Sequence, residues 1–406
     1  MFYLFDDLMT ARLYLSDPYC QEFEAAVTEI NGEWLILDRS AFYPGGGGQV
    51  ADTGTISDLP VTEVKKENNL VMHRVPGHGR NVGDAVTGKI DWVRRYEMMK
   101  GHTGEHLLFS QLSKLCPDLH LVKISITPEK KALMVNGPLD WNMVSQAQRK
   151  AQEAIESSLE IKEKIVGRDD PLISESRVKL ERIHEDGVRI IEIGDVDRAA
   201  CAGVHVHNTR ELGMILVPSL KSAHPVADLE VEFEVGDKAI RKAMDLSVAA
   251  LRASDALGSR PQDLLSALEN LLQENERRKA TIKHYETKVL ADLVPSYIRG
   301  IKLYSGLFEN MDKKALIDTA NRMIKEPSVC ALGSVGDNFM LVIACHPDIR
   351  VDCASILRRT LEVVGGKGGG KSTFATGGVQ GRDHAERCMS SSLAEITKTI
   401  EKKWQE

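Results

Sequence analysis

The spacing of apolar and polar positions changes along this chain, and the changes divide it. Through residues 1–95 the period is two. Glu22 to Ile30 and Glu33 to Asp38 flank Asn31-Gly32, a hairpin signal, and Val61 to Val64, Leu70 to Val75 and Ala85 to Ile90 alternate like half-buried strands. Short strands at this spacing predict a small β-barrel or sandwich. From Asp91 the period lengthens: Trp92, Tyr96, Met99, His102, His106, Phe109 and Leu112 fall at helical intervals as far as Lys114. Strands are expected at Val122 to Ile126 and Ala132 to Val135, then an amphipathic helix from Met143 to Ile161. A strand at Val188 to Ile193 delivers the chain to Cys201.

Asp237 to Leu257 and Pro261 to Leu293 read as helices broken at Gly258-Ser259-Arg260-Pro261, with Pro placed at a first helical turn. Their apolar stripe (Leu264, Leu268, Leu271, Ile282, Tyr285, Val289) is interrupted by Asn275 and Arg278, which favours a two-helix hairpin over a long coiled coil. Beyond Pro295 the pattern alternates: helix Lys313 to Ile324, strands Val329 to Leu332 and Phe339 to Ala344, helix Cys353 to Val363, a glycine-rich loop Gly365 to Lys371 and a helix from Asp383. The expected class is α+β in four parts. Residues 1–95 form a β-barrel domain with a glycine-rich motif, 96–235 an α+β domain, 236–294 a helical hairpin, and 295–406 an α/β glycine-rich domain.

At 406 residues, 42% hydrophobic and 27% charged, the composition is that of an ordinary globular protein. No apolar run approaches bilayer length, and the N-terminus lacks a basic n-region, so a cytoplasmic protein is expected. The net charge of −7 gives no global attraction to nucleic acid, so any polyanion must be met by local basic patches. Seven cysteines without framework spacing read mostly as small buried hydrophobes.

One cysteine has companions. His102 and His106 sit at i and i+4, on one face of the expected helix, and Cys201 and His205 form a second pair about a hundred residues on. Imidazole and thiolate suit Zn²⁺, one ion per chain, held tetrahedrally. Four protein ligands would close the coordination sphere, whereas a weak His205 or His106 would leave it open. His207, two residues beyond His205, is a backup ligand, a substrate contact or neither. The same stretch, His102-Thr103-Gly104-Glu105-His106, also matches H-x-x-E-H, the zinc-peptidase pattern in which Glu105 would be the base; the bland reading of Glu105 is a solvated helix residue. Earlier, Tyr43-Pro44-Gly45-Gly46-Gly47-Gly48-Gln49 packs glycines whose amides can approach a ligand closely, without the Gly-Lys-Ser/Thr ending of a P-loop.

Together these motifs resemble a known family. Phe42-Tyr43-Pro44-x-x-Gly47-Gly48-Gln49-x-x-Asp52-Thr53-Gly54, then His102-Thr103-x-x-His106-Leu107-Leu108, then Ile193-Gly194-Asp195 leading into Cys201-x-Gly203-x-His205-Val206-x-x-Thr209-x-Glu211-Leu212-Gly213, look like the editing region of alanyl-tRNA synthetase. Gly365-Gly366-Lys367-Gly368-Gly369-Gly370-Lys371 with Gly377-Gly378 looks like its C-terminal glycine-rich domain. With no aminoacylation core ahead of them, the set is similar to the long form of the free-standing AlaX editing proteins. Ala202 and Val204 depart from the usual Cys-Gly-Gly-Thr-His, which spares zinc ligation and removes any role for a hydroxyl at 204.

The resemblance implies an aminoacyl-tRNA deacylase that hydrolyses tRNA(Ala) mischarged with serine or glycine. Zinc on His102, His106, Cys201 and His205 orients the aminoacyl group or polarises a water. Gly46, Gly47 and Gly48 offer amides near the ester carbonyl. Ser40, Gln49 and Thr103 are candidates to hydrogen-bond the seryl hydroxyl that alanine lacks. Lys367 and Lys371, with Arg382 and Arg387 after them and Arg277, Arg278, Lys279, Lys283 and Lys288 on the second long helix, are candidates for phosphate contact. The family's C-terminal domain also pairs subunits, so a homodimer through that region is expected alongside tRNA binding. The competing classes are a zinc peptidase and a non-catalytic tRNA-binding protein with a structural zinc.

Overall fold

The computed structural model describes residues 9–183 and 187–402, in two compact units, Met1–Ala253 and Ser254–Glu406. The architecture is mixed α+β. In the first unit Glu22–Asn31 alternates buried and exposed side chains and turns at Gly32, whose φ of +60° suits a residue without Cβ, back into Trp34–Leu37. Five further strands extend this pair into a seven-stranded sheet. Val61 to Val64 is two elements, not one: Leu59–Val61 lies at one edge of the sheet and Glu63–Glu67 at the other, joined by Thr62 alone, so the sheet nearly closes on itself.

The helix Trp92–Leu115 follows, started by Asp91, whose carboxylate accepts the Arg94 amide at 3.2 Å. It is buried on nearly every side, so it reads as a core helix rather than an amphipathic surface one. Its first turns are pinned to the sheet by Arg95, which donates Nε to Asp52 at 2.9 Å and Nη1 to the Pro18 carbonyl at 3.0 Å. Asp52 in turn accepts the Tyr43 amide at 2.7 Å, so one buried ion pair joins the Tyr43 turn, the Asp52-Thr53-Gly54 stretch and the helix. A four-stranded antiparallel sheet ordered His120–Ile126, Lys131–Asn136, Leu229–Val235, Ile215–Ser222, together with the helix Trp141–Glu156, packs around it. One continuous hydrophobic cluster runs from Tyr14 to Val235.

Three readings of the pattern need correction here. The helix expected to reach Ile161 stops at Glu156, because Ser158 takes a left-handed conformation and Ile161–Gly167 is a strand. That strand begins a meander with Gly187–Ile193 and Asp197–Ala200, so the element that delivers Cys201 is the third strand, not the second. In the second unit a six-stranded sheet holds the fully buried strand Ser328–Val335 beside Asn338–Cys345, which is buried from Leu341 onward. The glycine-rich loop belongs to this sheet as an edge strand, Lys367–Lys371, paired with Phe374–Gln380. Glycine is a poor strand former because it offers nothing to pack, but here packing needs its absence. A Cβ on Gly377 would lie 2.5 Å from Leu361, and one on Gly368 2.8 Å from Leu357, both on the helix Cys353–Glu362. Among the described residues no helix is long and apolar enough to cross a membrane.

Candidate metal centre

His102 and His106 project from one face of the core helix, and the loop after Ala200 brings Cys201 and His205 onto that face. The four ligand atoms lie within 4.8 Å of one another. Cys201 Sγ is 3.3 Å from His102 Nε2 and 3.4 Å from His205 Nε2, close to the roughly 3.5 Å edge of a tetrahedron built on ordinary Zn–S and Zn–N bonds.

Each imidazole is held by its other nitrogen. His102 Nδ1 donates to Gln49 Oε1 at 2.8 Å, His106 Nδ1 to Asp197 Oδ2 at 2.8 Å, and His205 Nδ1 to Thr103 Oγ1 at 3.1 Å. These partners orient each ring so that its Nε2 faces the cluster, the usual outer support of a metal-binding histidine. Asp197 is itself gripped by Arg177, at 2.9 and 2.7 Å, and Arg177 lies over the Phe109 ring. The cysteine loop is shaped by Arg189, whose Nη1 reaches the carbonyls of Cys201 and Gly203 at 2.8 Å each. Gly203 has no alternative, since a Cβ there would lie 2.1 Å from His102 Cε1 and 2.3 Å from its Nδ1.

The electrostatics suit a thiolate. Burial alone would raise the Cys201 thiol, but the charges of His102 and His205 and hydrogen bonds from His102 and His106 overcome it and carry it well below its ordinary value. Burial would likewise lower His106, yet hydrogen bonds to Asp197 and Cys201 push it up to about 10. His205 is lowered to about 3 by burial, so it stays a neutral ligand. Three imidazoles and a thiolate at these spacings fit zinc.

The glycine motif meets this cluster. Gly46 and Gln49 exchange backbone hydrogen bonds at 3.0 and 2.9 Å around Gly47 and Gly48, both at positive φ, and a Cβ on Gly47 would be 3.7 Å from His102 Cε1. Gln49 is buried, and its Nε2 has no hydrogen-bond partner among the described residues. Thr103 Oγ1 accepts from His205 Nδ1 and, at 3.4 Å, from the Val206 amide. Ser40 lies in the two-residue strand Arg39–Ser40, paired with Ala11–Arg12, and donates to His73 Nε2 at 2.7 Å while accepting the Phe42 amide at 3.1 Å. Val204 is fully buried. Glu105 is buried rather than solvated; Oε2 lies 3.8 Å from His106 Nε2, Oε1 has no hydrogen-bond partner among the described residues, and burial raises its carboxyl.

His207 is not part of the cluster but stacks on Tyr19 at 4.2 Å. Asp197 and Arg177 carry no pattern that singles them out in sequence, although Asp197 follows closely on Ile193-Gly194-Asp195; Glu211 stands in the motif after Cys201 but with no role read for it there. Lys367 and Lys371 are exposed at the two ends of their edge strand. On the helix Leu264–Ala291, Arg278 and Lys279 pair with Glu274 and Glu276 across exposed turns.

Residues 4–94 match the model of a family described as tRNA synthetases class II (A), and residues 188–222 the threonyl and alanyl tRNA synthetase second additional domain. The chain is 28% identical over 393 residues to the alanyl-tRNA editing protein AlaX-L of Pyrococcus horikoshii, covering 92% of this chain and 96% of that one. It is 30% identical over 405 residues to an alanine–tRNA ligase of Ignicoccus hospitalis and 32% over 395 residues to one of Saccharolobus islandicus. Those matches take in 96% and 90% of this chain but only 43% and 42% of the ligases, so it spans less than half their length.

Proposed function

We propose that this chain, a relative of the alanyl-tRNA editing proteins over nearly its whole length, hydrolyses the ester of tRNA(Ala) mischarged with serine, and more slowly with glycine. One observation carries the reading: the Gly46–Gln49 turn and the His102/His106/Cys201/His205 cluster, far apart in sequence, meet at His102 through the Gln49 side chain. Zinc bound there supplies a Lewis acid for a water or an ester carbonyl. The remaining work belongs to the chain. The turn gives a side-chain-free wall with the Gly47 and Gly48 amides at its tip, donors for the oxygen that gains charge when the ester is attacked.

Selectivity turns on one hydroxyl. Because Gln49 Oε1 is committed to the His102 N–H, its Nε2 is fixed as a donor without an acceptor among the described residues, and a buried donor of this kind favours a ligand that can accept. Thr103 Oγ1 receives two N–H groups, which leaves its own proton to give. Ser40 already donates to His73 and accepts the Phe42 amide, so recognition falls to Gln49 and Thr103. Val204 supports this division, since its buried methyls offer a hydroxyl nothing. Contact with the body of the tRNA and homodimer formation are assigned to residues 295–406, where Lys367 and Lys371 frame the glycine strand.

The test is deacylation of Ser-, Gly- and Ala-charged tRNA(Ala). Seryl ester should be cleaved far faster than alanyl, with glycyl between them. Comparable kcat/KM for the seryl and alanyl esters overturns the assignment. Cleavage of peptides that is abolished by Glu105→Gln would favour the peptidase reading instead.

A further inference from the structure

Beside the metal centre two tyrosine rings are locked around one carboxylate. Glu211 accepts the Tyr19 hydroxyl at 2.5 Å and the Tyr96 hydroxyl at 2.8 Å on Oε2, and the amides of His207 and Asn208 at 3.1 and 3.0 Å on Oε1. With four donors its charge is compensated within the protein. The rings it fixes are themselves in contact. His207 lies nearly parallel on Tyr19 at 4.2 Å and 29°, Trp92 stacks on Tyr96 at 5.4 Å and 17°, and Tyr19 touches Trp92 at 5.5 Å. None of the three aromatic side chains is fully buried, and His207 is exposed. Lys100 adds a cation, its ammonium 4.7 Å from the Tyr96 centroid.

This cluster is built from the elements that build the site. Trp92 and Tyr96 occupy the first turns of the helix that carries His102 and His106, and His207 is two residues beyond His205. Tyr96 and Thr103 are separated by about 10 Å along the helix axis at 1.5 Å per residue, a distance of a nucleotide or two. Structural packing accounts for tyrosines that point inward. It does not account for an exposed imidazole laid flat on a tyrosine, beside a half-buried lysine–aromatic pair, at the margin of a hydrolytic centre.

We propose that His207 on Tyr19, with Trp92 and Tyr96 behind, is a stacking platform for the unpaired nucleobases next to the terminal adenosine of the substrate RNA, with Lys100 serving the intervening phosphate. The proposal rests on the deacylase reading for the identity of its ligand. Single-stranded RNA is held by such surfaces: a base presents a π-face to a ring, and the backbone takes a nearby cation. Glu211 makes the platform rigid before RNA arrives, so little ordering is needed on binding. It also ties the residue that meets the RNA, His207, to the segment carrying His205, so a base seated on the platform registers the ester against the metal centre.

The experiment uses the full-length zinc-loaded chain and a CCA trinucleotide as probe, with binding measured by titration calorimetry. His207→Ala should weaken the trinucleotide by roughly 5- to 100-fold, the loss that goes with one base–aromatic stack. His207→Phe, which keeps a ring and removes the imidazole nitrogens, should recover most of that loss. On Ser-charged tRNA(Ala) the His207→Ala defect should appear in KM rather than kcat. Unchanged trinucleotide affinity in His207→Ala, or a Phe variant as weak as Ala, overturns the platform. A wild-type chain that binds the trinucleotide with this His207 dependence but leaves the seryl ester intact would sustain the platform and remove the deacylase assignment.

Discussion

Gly203 stands where a single methyl group would test the metal centre. A Cβ there would lie 3.2 Å from His102 Nε2 and deeper still against Cε1 and Nδ1. Carbon atoms rest about 3.5 Å or more apart, so Gly203→Ala requires the imidazole or the cysteine loop to move by at least about 1 Å. Neither is free to do so. His102 is held by Gln49 at 2.8 Å, and Arg189 grips the carbonyls of both Cys201 and Gly203 at 2.8 Å. Zinc–ligand distances tolerate changes of only about 0.2 Å, several-fold less than the displacement needed. Disturbing an outer hydrogen bond commonly costs 10–100-fold in metal affinity, so displacing a ligand should cost at least about 100-fold. The assay is zinc stoichiometry after dialysis and affinity by chelator competition. Gly47→Ala is the matched control, because its Cβ would sit at an ordinary 3.7 Å from His102 Cε1 and its φ of +56° adds about 1–2 kcal/mol of backbone strain without touching the ligands. If Gly203→Ala binds zinc as tightly as the unaltered chain, His102 is not a ligand in this geometry.

Two further outcomes follow from buried charge. Asp197→Ala should lower stability by about 3 kcal/mol or more in chemical denaturation and weaken zinc 10–100-fold, since it strands Arg177 and frees the His106 ring; an effect within 0.5 kcal/mol, about that of an ordinary surface substitution, would show that the pair is not structural. His73, buried between Ser40 and the Leu35 carbonyl, is lowered to about 4 by burial. An unfolded chain takes up this proton near pH 6.5 and the folded one only near pH 4, so the contribution is whole above pH 6.5 and is lost as pH falls towards 4. That amounts to about 3 kcal/mol at 1.36 kcal/mol per unit. Denaturation of the unaltered chain and of His73→Gln between pH 7 and pH 4 should show this difference in slope, and parallel curves would refute it.

The parts of the site that could be read in sequence are those with a period or a repeat. His102 and His106 announce a shared face by their spacing, Cys201 and His205 a second pair, and four glycines in succession a turn. What escaped has a physical reason in each case. Ile161–Gly167 is rich in Lys and Glu, which favour helix, but as the edge of its sheet it needs only one face and one partner. Lys367–Lys371 forms a strand because its neighbours demand missing side chains, a requirement set by the helix Cys353–Glu362 and invisible locally. Arg177, at an isolated bridge to Ala199, and Asp197, at the start of the strand Asp197–Ala200, are lone charges in sequence, meaningful only once folding has put them behind His106. Glu105, a commonplace helix residue by composition, became a buried carboxylate because the helix that carries it is enclosed on nearly every side.

That enclosure bears on how the protein is made. The helix Trp92–Leu115 finds its cover in Phe233 and Val235, which lie against Gly104, and its histidines find theirs in a loop nearly a hundred residues downstream. At about 5–20 residues per second a ribosome needs on the order of ten seconds to supply them. For much of that interval the helix has left the ribosome with polar side chains meant for the interior and only part of that interior to enter. Contacts this distant along the chain also form slowly. The first unit is therefore indivisible as a nascent chain: a polypeptide halted short of Val235 presents the histidine helix uncovered, whether or not zinc is at hand, and would depend on chaperones until the last strand arrives.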